Sequence, residues 1–165
     1  MELCLVRHAI AVQRGAPGYE DDGLRPLTER GRERMRQAAA GLRMVFTPEV
    51  ILTSPLLRAK ETADILVDAY HLPPARALAA LASGDHEEVL AELAEIDATA
   101  AMCVGHEPHI SELLSYLLTG TEDFIAAPFR KGGAALLSCD EDSSEGAWTL
   151  EWMATPALLR AAGRG

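Results

Sequence analysis

Short apolar runs that alternate with helical periodicities restrict the fold of this chain more than any other feature of its sequence. Apolar runs of the length of a buried strand cover residues 3–6, 50–53 and 100–104. Between the first two runs, apolar residues recur at helical spacing over residues 35–46. Strands that alternate with helices pair in parallel through right-handed crossovers, with helices on both faces. We therefore predict a single α/β domain over residues 1–165, with three layers (α/β/α) and a mostly parallel central sheet.

The remaining elements are more weakly marked in the sequence. Residues 76–81 predict a short third strand, and residues 86–96 predict a helix. Two further strands, at residues 134–139 and 148–152, flank an acidic loop at residues 140–146 and predict an antiparallel hairpin. The predicted sheet is therefore parallel except for an antiparallel C-terminal strand.

The acidic composition excludes several classes of function. The chain has 25 acidic and 15 basic residues, which gives a formal net charge of -10 at pH 7. Such an excess repels nucleic acids and anionic membranes, so we expect neither as a partner. No apolar run approaches the ~20 residues of a membrane span, and the first residues lack the pattern of a signal peptide. We therefore expect a cytoplasmic protein whose three cysteines are free thiols.

Basic and imidazole side chains follow three of the predicted strands. Arg7 and His8 come directly after the first strand. Arg58 lies in the first turn of the helix after the second strand, and His106 follows the strand at residues 100–104. Taken alone, Arg7 and His8 are also compatible with a salt bridge and an ordinary loop histidine. Because the carboxyl ends of parallel strands meet at one edge of a sheet, we expect all four side chains to converge.

Two arginines and two histidines at one sheet edge indicate phosphoryl chemistry. Guanidinium groups bind phosphoryl oxygens through bidentate, charge-assisted hydrogen bonds. A neutral imidazole is a nucleophile toward phosphorus, and it forms a phosphohistidine that water then hydrolyses. A second histidine, protonated beside the bound phosphate, stabilises the charge that develops during transfer. The residues alone leave open whether the site catalyses this reaction or only recognises phosphate.

Three motifs of the chain resemble those of the histidine phosphatase superfamily. They are Arg7-His8, the block Ser54-Pro55-x-x-Arg58-Ala59-x-x-Thr62, and Gly105-His106-x-Pro108. The chain is short and has no cap insertion, and it is most similar to the SixA-type phosphohistidine phosphatase branch. The resemblance implies a phosphoglycerate mutase-like fold.

The resemblance also implies a role for each site residue. His8 is expected to be the phosphate-accepting nucleophile, and Arg7 and Arg58 are expected to bind the phosphate. His106 is then the second histidine of the pocket. Arg25, on the loop before the first long helix, is a further candidate for contact with phosphate or substrate. No metal or cofactor is expected.

The sequence departs from the family pattern at two places. Ala9 stands where the common signature has a glycine after the arginine and histidine. Many relatives carry a glutamate after the third strand as a proton donor, whereas residues 78–81 of this chain are Leu-Ala-Ala-Leu. The expected carboxylate is therefore missing, with Ala80 close to its place.

Two other groups of carboxylates are alternative proton sources. Asp21 and Asp22 lie on a polar loop at residues 13–23, which we predict at the rim of the site. The carboxylates of the segment at residues 85–88 lie just beyond the third strand, but an N-cap and the first turn of a helix explain them better.

The missing carboxylate favours one class of substrate. An alkoxide is a poor leaving group that benefits from an acid. Imidazole, with an ordinary pKa of ~6.5, is easily protonated near neutrality. We therefore predict a phosphatase that hydrolyses the N–P bond of phosphohistidine on a protein, either a phosphotransfer domain or a phosphocarrier protein. The alternatives are hydrolysis of small phosphate esters or anhydrides, and a non-catalytic module that recognises phosphate.

Overall fold

A mostly parallel sheet forms the centre of the fold in the computed structural model, which describes residues 1–139 and 148–164. Its strands are β1 (Glu2–Arg7), β2 (Val50–Thr53), β3 (Arg76–Ala77), β4 (Ala100–Gly105), β5 (Ala134–Cys139) and β6 (Trp148–Ala154). Their order across the sheet is β3-β2-β4-β1-β5-β6. Strands β1 to β4 are parallel, whereas β5 is antiparallel to both β1 and β6. The predicted parallel sheet with its antiparallel C-terminal strand is confirmed, while the acidic loop at residues 140–146 lies outside the described residues.

Helices cover both faces of this sheet. They are α1 (Glu29–Leu42), α2 (Leu57–Tyr70), α3 (Ala80–Ser83), α4 (His86–Glu95), α5 (His109–Thr119) and α6 (Pro156–Ala162). Side chains of α1, α2 and α6 form a core on one face, and those of α3, α4 and α5 form a core on the other. The predicted three-layer α/β/α architecture is therefore confirmed. Within the described residues, each helix is too short or too polar to cross a membrane.

Burial on both faces explains the unbroken apolar sequence of β1. Cys4 and Val6 enter the core beneath α1 and α2, whereas Leu3 and Leu5 enter the core beneath α4 and α5. All four side chains are fully buried. Alternate residues of a strand point to opposite faces, so a strand between two helical layers needs apolar residues at every position.

A hydroxyl and a carboxylate cap begin two of the helices. The Thr28 side chain accepts a hydrogen bond of 3.0 Å from the backbone N–H of Gly31 at the start of α1. The Asp85 carboxylate accepts one of 3.0 Å from the N–H of Glu88 at the start of α4. Each cap satisfies a donor that has no partner within its own helix.

The predicted third strand is wrong beyond its first two residues. Strand β3 ends at Ala77, and α3 begins three residues later at Ala80. Ala80 and Leu81 are buried in the core beneath α4 and α5. Alanine favours helix over strand, and this core is closed by one short helical turn. Gly84, in the left-handed conformation with φ 81°, then ends α3.

The register between parallel strands determines which side chains meet at the carboxyl edge. Arg7 of β1 is paired with Gly105 of β4. The next residue of each strand is a histidine, and the N–H of His8 donates to the Gly105 carbonyl oxygen over 2.9 Å. His8 and His106 therefore leave the sheet next to each other.

We expect Gly41→Ala to destabilise the protein by about 1–3 kcal/mol, because α1 and α6 approach too closely for a side chain there. A Cβ at Gly41 would lie 1.7 Å from the backbone oxygen of Leu159. Helix propensity alone predicts a gain of ~1 kcal/mol for the same change. Denaturation in urea measures the free energy of unfolding. Ala40→Gly, at an exposed neighbouring position, is the control and measures the difference in helix propensity alone. A Gly41→Ala variant as stable as the wild type would contradict the prediction.

Candidate active site

Two buried histidines form the centre of the carboxyl edge. The ring centroids of His8 and His106 lie 5.3 Å apart, with the ring planes inclined at 53°. The side chains are 6% and 5% exposed. The structure thus brings together the two histidines that the sequence placed at separate strand ends.

The hydrogen bond of His8 leaves one ring nitrogen free. Nδ1 lies 2.7 Å from the carbonyl oxygen of Ala9, and because a carbonyl only accepts, Nδ1 carries the proton and donates it. Nε2 then bears a lone pair. Burial, with smaller contributions from His106 and Arg58, lowers the His8 pKa to about 3. His8 is therefore neutral near pH 7, as a nucleophile must be.

Thr62 on α2 holds the backbone next to His8. Its hydroxyl oxygen accepts a hydrogen bond of 3.0 Å from the N–H of Ala9. The same hydroxyl donates to the carbonyl oxygen of Arg58 over 2.7 Å. Thr62 is fully buried and thus connects the chain after β1 to the first turns of α2.

His106 is hydrogen-bonded on one side only. Its Nε2 lies 2.6 Å from the hydroxyl oxygen of Ser54, the residue that follows β2. Its Nδ1 is buried and has no hydrogen-bond partner among the described residues. Burial, followed by the charges of Arg58 and His109, lowers the His106 pKa to about 4. A bound anion would act in the opposite direction and favour the imidazolium form.

Asp22 joins two of the predicted arginines. Arg58 donates through one terminal nitrogen to the Asp22 carbonyl oxygen over 2.8 Å, and its other terminal nitrogen lies 3.2 Å from the Asp22 carboxylate. The Nε of Arg25 donates to the same carboxylate over 2.8 Å. Arg25, a candidate from the sequence for contact with phosphate or substrate, is therefore joined to Arg58 through Asp22.

This arrangement argues against Asp22 as the proton donor. Hydrogen bonds from Arg25 and Arg14 hold the pKa of the Asp22 carboxyl far below its usual range. An ionised carboxylate has no proton to donate at neutral pH. The neighbouring Asp21 is also engaged, since its carboxylate accepts a hydrogen bond of 2.8 Å from the N–H of Gly23. Both residues therefore shape the rim loop.

Arg7 is held by the segment that precedes β5. One of its terminal nitrogens donates to the carbonyl oxygen of Phe129 over 2.5 Å. The N–H of Phe129 in turn donates to the Glu107 carboxylate over 2.7 Å. Glu107 lies between His106 and Pro108, where the sequence suggested no role, and only the tertiary contact identifies it as a positioning residue.

Three buried nitrogens around the histidines lack hydrogen-bond partners among the described residues. They are Nε of Arg7, Nε of Arg58 and Nδ1 of His106, one from each of the three strand ends. Buried polar atoms are almost always hydrogen-bonded, because leaving them unpaired costs about 1–3 kcal/mol each. Both arginine Nε atoms are obligate donors, and an anion of several oxygens satisfies such a set. The site is thus suited to a phosphate group.

Ala80, near which the resemblance leads us to expect a proton donor, carries no acidic group. Ala80, at the start of α3, is 1% exposed. Asp85 caps α4 as predicted, and Glu87 and Glu88 lie exposed in the first turn of that helix. The helix-start interpretation of residues 85–88 is therefore confirmed.

Lys131 adds a cation beside the site. The next residue, Gly132, adopts a positive φ of 79° and donates its N–H to the carbonyl oxygens of Arg7 and His8. Burial and the neighbouring charges of Arg7, Arg25 and Arg58 lower the Lys131 pKa. The site therefore concentrates positive charge in a protein whose net charge is -10.

Comparison with known proteins identifies the family. The model of the histidine phosphatase superfamily (branch 1) matches residues 3–101. This segment contains β1, β2 and α2, and with them Arg7, His8 and Arg58. The chain belongs to the histidine phosphatase superfamily, its fold is phosphoglycerate mutase-like, and membership of the family identifies it as a phosphatase.

Similar proteins extend this likeness over different parts of the chain. The structure of the protein histidine phosphatase SixA complexed with tungstate has a TM-score of 0.76 at 26% identity, covering 96% of this chain and 99% of that one. An uncharacterised protein of Picosynechococcus sp. is 40% identical over 117 residues, which are 68% of this chain and 70% of that protein. A mannitol-1-phosphatase of Eimeria tenella is 34% identical over 91 residues, or 50% of this chain and 29% of that protein. The likeness to SixA confirms the predicted SixA-type resemblance.

We expect the imidazoles of His8 and His106 to remain neutral at pH 5, since burial lowers the pKa of both. An ordinary histidine, with a pKa of ~6.5, is mostly protonated at that pH. NMR titration of the ring nitrogens measures this directly, with resonances assigned from His8→Gln and His106→Gln. Added inorganic phosphate should raise the pKa of His106. A midpoint near pH 6.5 for either ring without phosphate would contradict the prediction.

We expect Thr62→Val to lower the free energy of unfolding by about 1–3 kcal/mol and to reduce turnover, because it leaves the buried Ala9 N–H without an acceptor. Valine has nearly the same shape as threonine, so packing is preserved. Chemical denaturation and steady-state kinetics measure the two effects. Thr62→Ser keeps the hydroxyl and should retain most of the activity. Equal losses of stability and turnover in Thr62→Val and Thr62→Ser would show that the hydroxyl group is not their cause.

Proposed function

We propose that this chain is a metal-independent phosphatase that removes the phosphoryl group from phosphorylated histidine on another protein. His8 is the nucleophile, Arg7, Arg58 and Arg25 bind the phosphate, and His106 stabilises it. The observation that carries this proposal is that a neutral His8 with a free Nε2 lies at the same sheet edge as three buried nitrogens that lack partners among the described residues. Together they supply a nucleophile and a set of donors for phosphate oxygens.

The reaction proceeds in two displacements at phosphorus. The Nε2 lone pair of His8 attacks the phosphorus and the N–P bond of the substrate breaks. The other ring nitrogen of the substrate histidine already carries a proton, so the imidazole leaves in its neutral form. Water then attacks the phosphorus bound to His8, releasing inorganic phosphate and restoring the Nε2 lone pair. Through both steps Nδ1 of His8 donates to the Ala9 carbonyl oxygen, which holds the ring in place. Arg7 and Arg58 neutralise the charge on the phosphoryl oxygens.

The chemistry of the leaving group favours an N–P bond over a phosphate ester. Ala80 supplies no acid where many relatives carry one, and Asp22 is bound as a carboxylate by arginines. Phosphohistidine needs little help, because its imidazole is protonated near neutral pH. An alkoxide requires a proton donor that these residues do not supply. The likeness to the protein histidine phosphatase SixA supports the same substrate class.

A second candidate function is hydrolysis of small phosphate esters. The partial likeness to a mannitol-1-phosphatase favours it, although that protein is matched over only 29% of its length. A non-catalytic phosphate-binding module is a weaker alternative, because recognition alone requires the arginines and not a neutral, oriented His8. We therefore retain phosphohistidine on a phosphotransfer domain or phosphocarrier protein as the substrate. A role in signal transduction follows from this choice of substrate. A cytoplasmic location is part of the same proposal, since Cys4, Cys103 and Cys139 are free thiols, as is usual in a reducing compartment.

We expect His8→Ala to reduce hydrolysis of a phosphohistidine peptide by more than about 10³-fold and to abolish the acid-labile phosphoenzyme, since no nucleophile remains. Rapid quenching with radiolabelled substrate detects the phosphoenzyme. His71→Asn, on the exposed end of α2 far along the chain from the site, is the control and should behave as the wild type. Full turnover by a folded His8→Ala variant would exclude the mechanism.

The same assay decides the substrate class. We expect kcat/KM for the phosphohistidine peptide to exceed that for a panel of phosphorylated sugars, glycerates and anhydrides. A strong preference for any of these small molecules would establish the second candidate instead. Binding of phosphate with no turnover of any substrate would establish the non-catalytic module.

A further inference from the structure

A second cavity lies directly beside the phosphate site, between α1, α6 and the segment before β5. Its volume is ≈ 580 Å³. Five cationic side chains line it, namely Arg7, Arg34, Arg130, Lys131 and Arg160. Much of the remaining wall is apolar, including Ile10, Met35 and Pro156. Among the residues assigned to the phosphate site, Arg7 lines this cavity, whereas His8, Arg25, Arg58 and His106 do not.

The positive charge of the cavity is not balanced locally. Arg34, Arg130, Lys131 and Arg160 form no ion pair with a carboxylate in the part of the chain that the structure describes. The chain nevertheless has ten more acidic than basic residues. The pKa of Arg34 is lowered mainly by the charge of Arg30, with a further contribution from Arg160, so cations crowd together here. Such a cluster attracts an anionic ligand.

The cavity adjoins the phosphate site through Arg7 and the residues next to His8. Arg7 lines the cavity and also ends β1 next to His8. Lys131 lines the cavity too, and it lies close enough to Arg25 and Arg58 for their charges to lower its pKa. A ligand in the cavity can therefore belong to the same molecule as a phosphoryl group at His8.

We infer that this cavity binds acidic side chains of the phosphorylated protein substrate, at positions flanking its phosphohistidine. The inference rests on the proposed function and adds the recognition of sequence around the phosphorylated residue. Acidic residues on the substrate are attracted to this cavity and repelled by the rest of the acidic surface. The substrate is thereby oriented with its phosphohistidine toward His8.

The form of the cavity favours a protein segment over a small anion. The cations belong to separate segments, and Arg130 and Lys131 are exposed whereas Arg34 and Arg160 are half-buried. A single phosphate is held better by buried donors with fixed directions, as at Arg7 and Arg58 in the phosphate site. Several carboxylates spaced along a chain, with apolar groups between them, match dispersed cations on an apolar wall.

The test compares two phosphohistidine peptides of equal length, one with glutamates and one with glutamines beside the phosphohistidine. The cavity variant is Arg34→Gln with Arg160→Gln, neither of which belongs to the proposed catalytic machinery. The control is Arg36→Gln with Arg43→Gln, which removes the same charge from exposed positions on and just after α1. Arg130→Gln provides an independent loss of one cavity charge.

We expect the wild type to prefer the glutamate peptide, and the cavity variant to lower kcat/KM for that peptide by roughly tenfold, mostly through KM. The glutamine peptide should change by less than about twofold. The control should keep the wild-type preference, and Arg130→Gln should reduce it in part. The preference should also weaken as NaCl rises, because ions screen exposed charges.

Equal kcat/KM values for the two peptides in the wild type would overturn the inference, as would an unchanged preference in the cavity variant. If the cavity variant had a lower kcat/KM for a small bisphosphate but not for either peptide, the inference would be overturned in favour of a small-molecule ligand. A second measurement separates this inference from the proposed function. Fluorescence anisotropy measures binding of the unphosphorylated glutamate peptide to each protein. If neither peptide is hydrolysed, the proposed function fails. The binding measurement still tests the cavity, because weaker binding of the glutamate peptide by the cavity variant, and not by the control, shows that the cavity binds acidic side chains.

Discussion

The parallel pairing of β1 with β4 is the interaction on which the site depends. Its register places Arg7 opposite Gly105, so His8 and His106 leave the sheet as neighbours. Both strands are packed on each face by fully buried side chains. A shift of one residue would exchange side chains of different shape between the two cores, and the close packing of both cores opposes such a shift. Packing far from the reacting atoms thus maintains the distance between the two imidazoles.

Burial and local charge together decide what the site can bind. Burial keeps both histidines neutral, and the surrounding arginines reinforce this, since they disfavour a further positive charge. A bound anion offsets these positive charges and so makes protonation of a histidine less unfavourable. The Asp22 carboxylate pairs with the guanidinium groups of Arg25 and Arg58, while Nε of Arg58 has no partner among the described residues. The site is therefore suited to binding an oxyanion, although the protein as a whole is acidic.

The fold was predictable from the sequence wherever a pattern of neighbouring residues specifies a strand or a helix. Two-sided burial is visible in the apolar run of β1, and the caps at Thr28 and Asp85 are visible as single residues before helical periodicities. The prediction failed at residues 78–81, where a short apolar sequence is compatible with strand or helix and packing against α4 and α5 stabilises a helical turn. Contacts such as Thr62 with Ala9, 53 residues apart, have no local signature at all. The same holds for Glu107 with Phe129, whose role emerged only from the folded chain.

The sequence by itself determined the alternation of strands and helices and the residue types at the strand ends, because hydrophobic periodicity and turn residues act over a few neighbouring positions. Parallel pairing then required Arg7, His8, Arg58 and His106 to share one edge. Only the tertiary structure decided which nitrogen of His8 is free, that Asp22 is an ionised partner of arginines, and that cations gather between α1 and α6. These properties depend on a carbonyl group in reach, on exclusion of water and on distances between charges. Such quantities arise only when segments far apart in the chain are packed together.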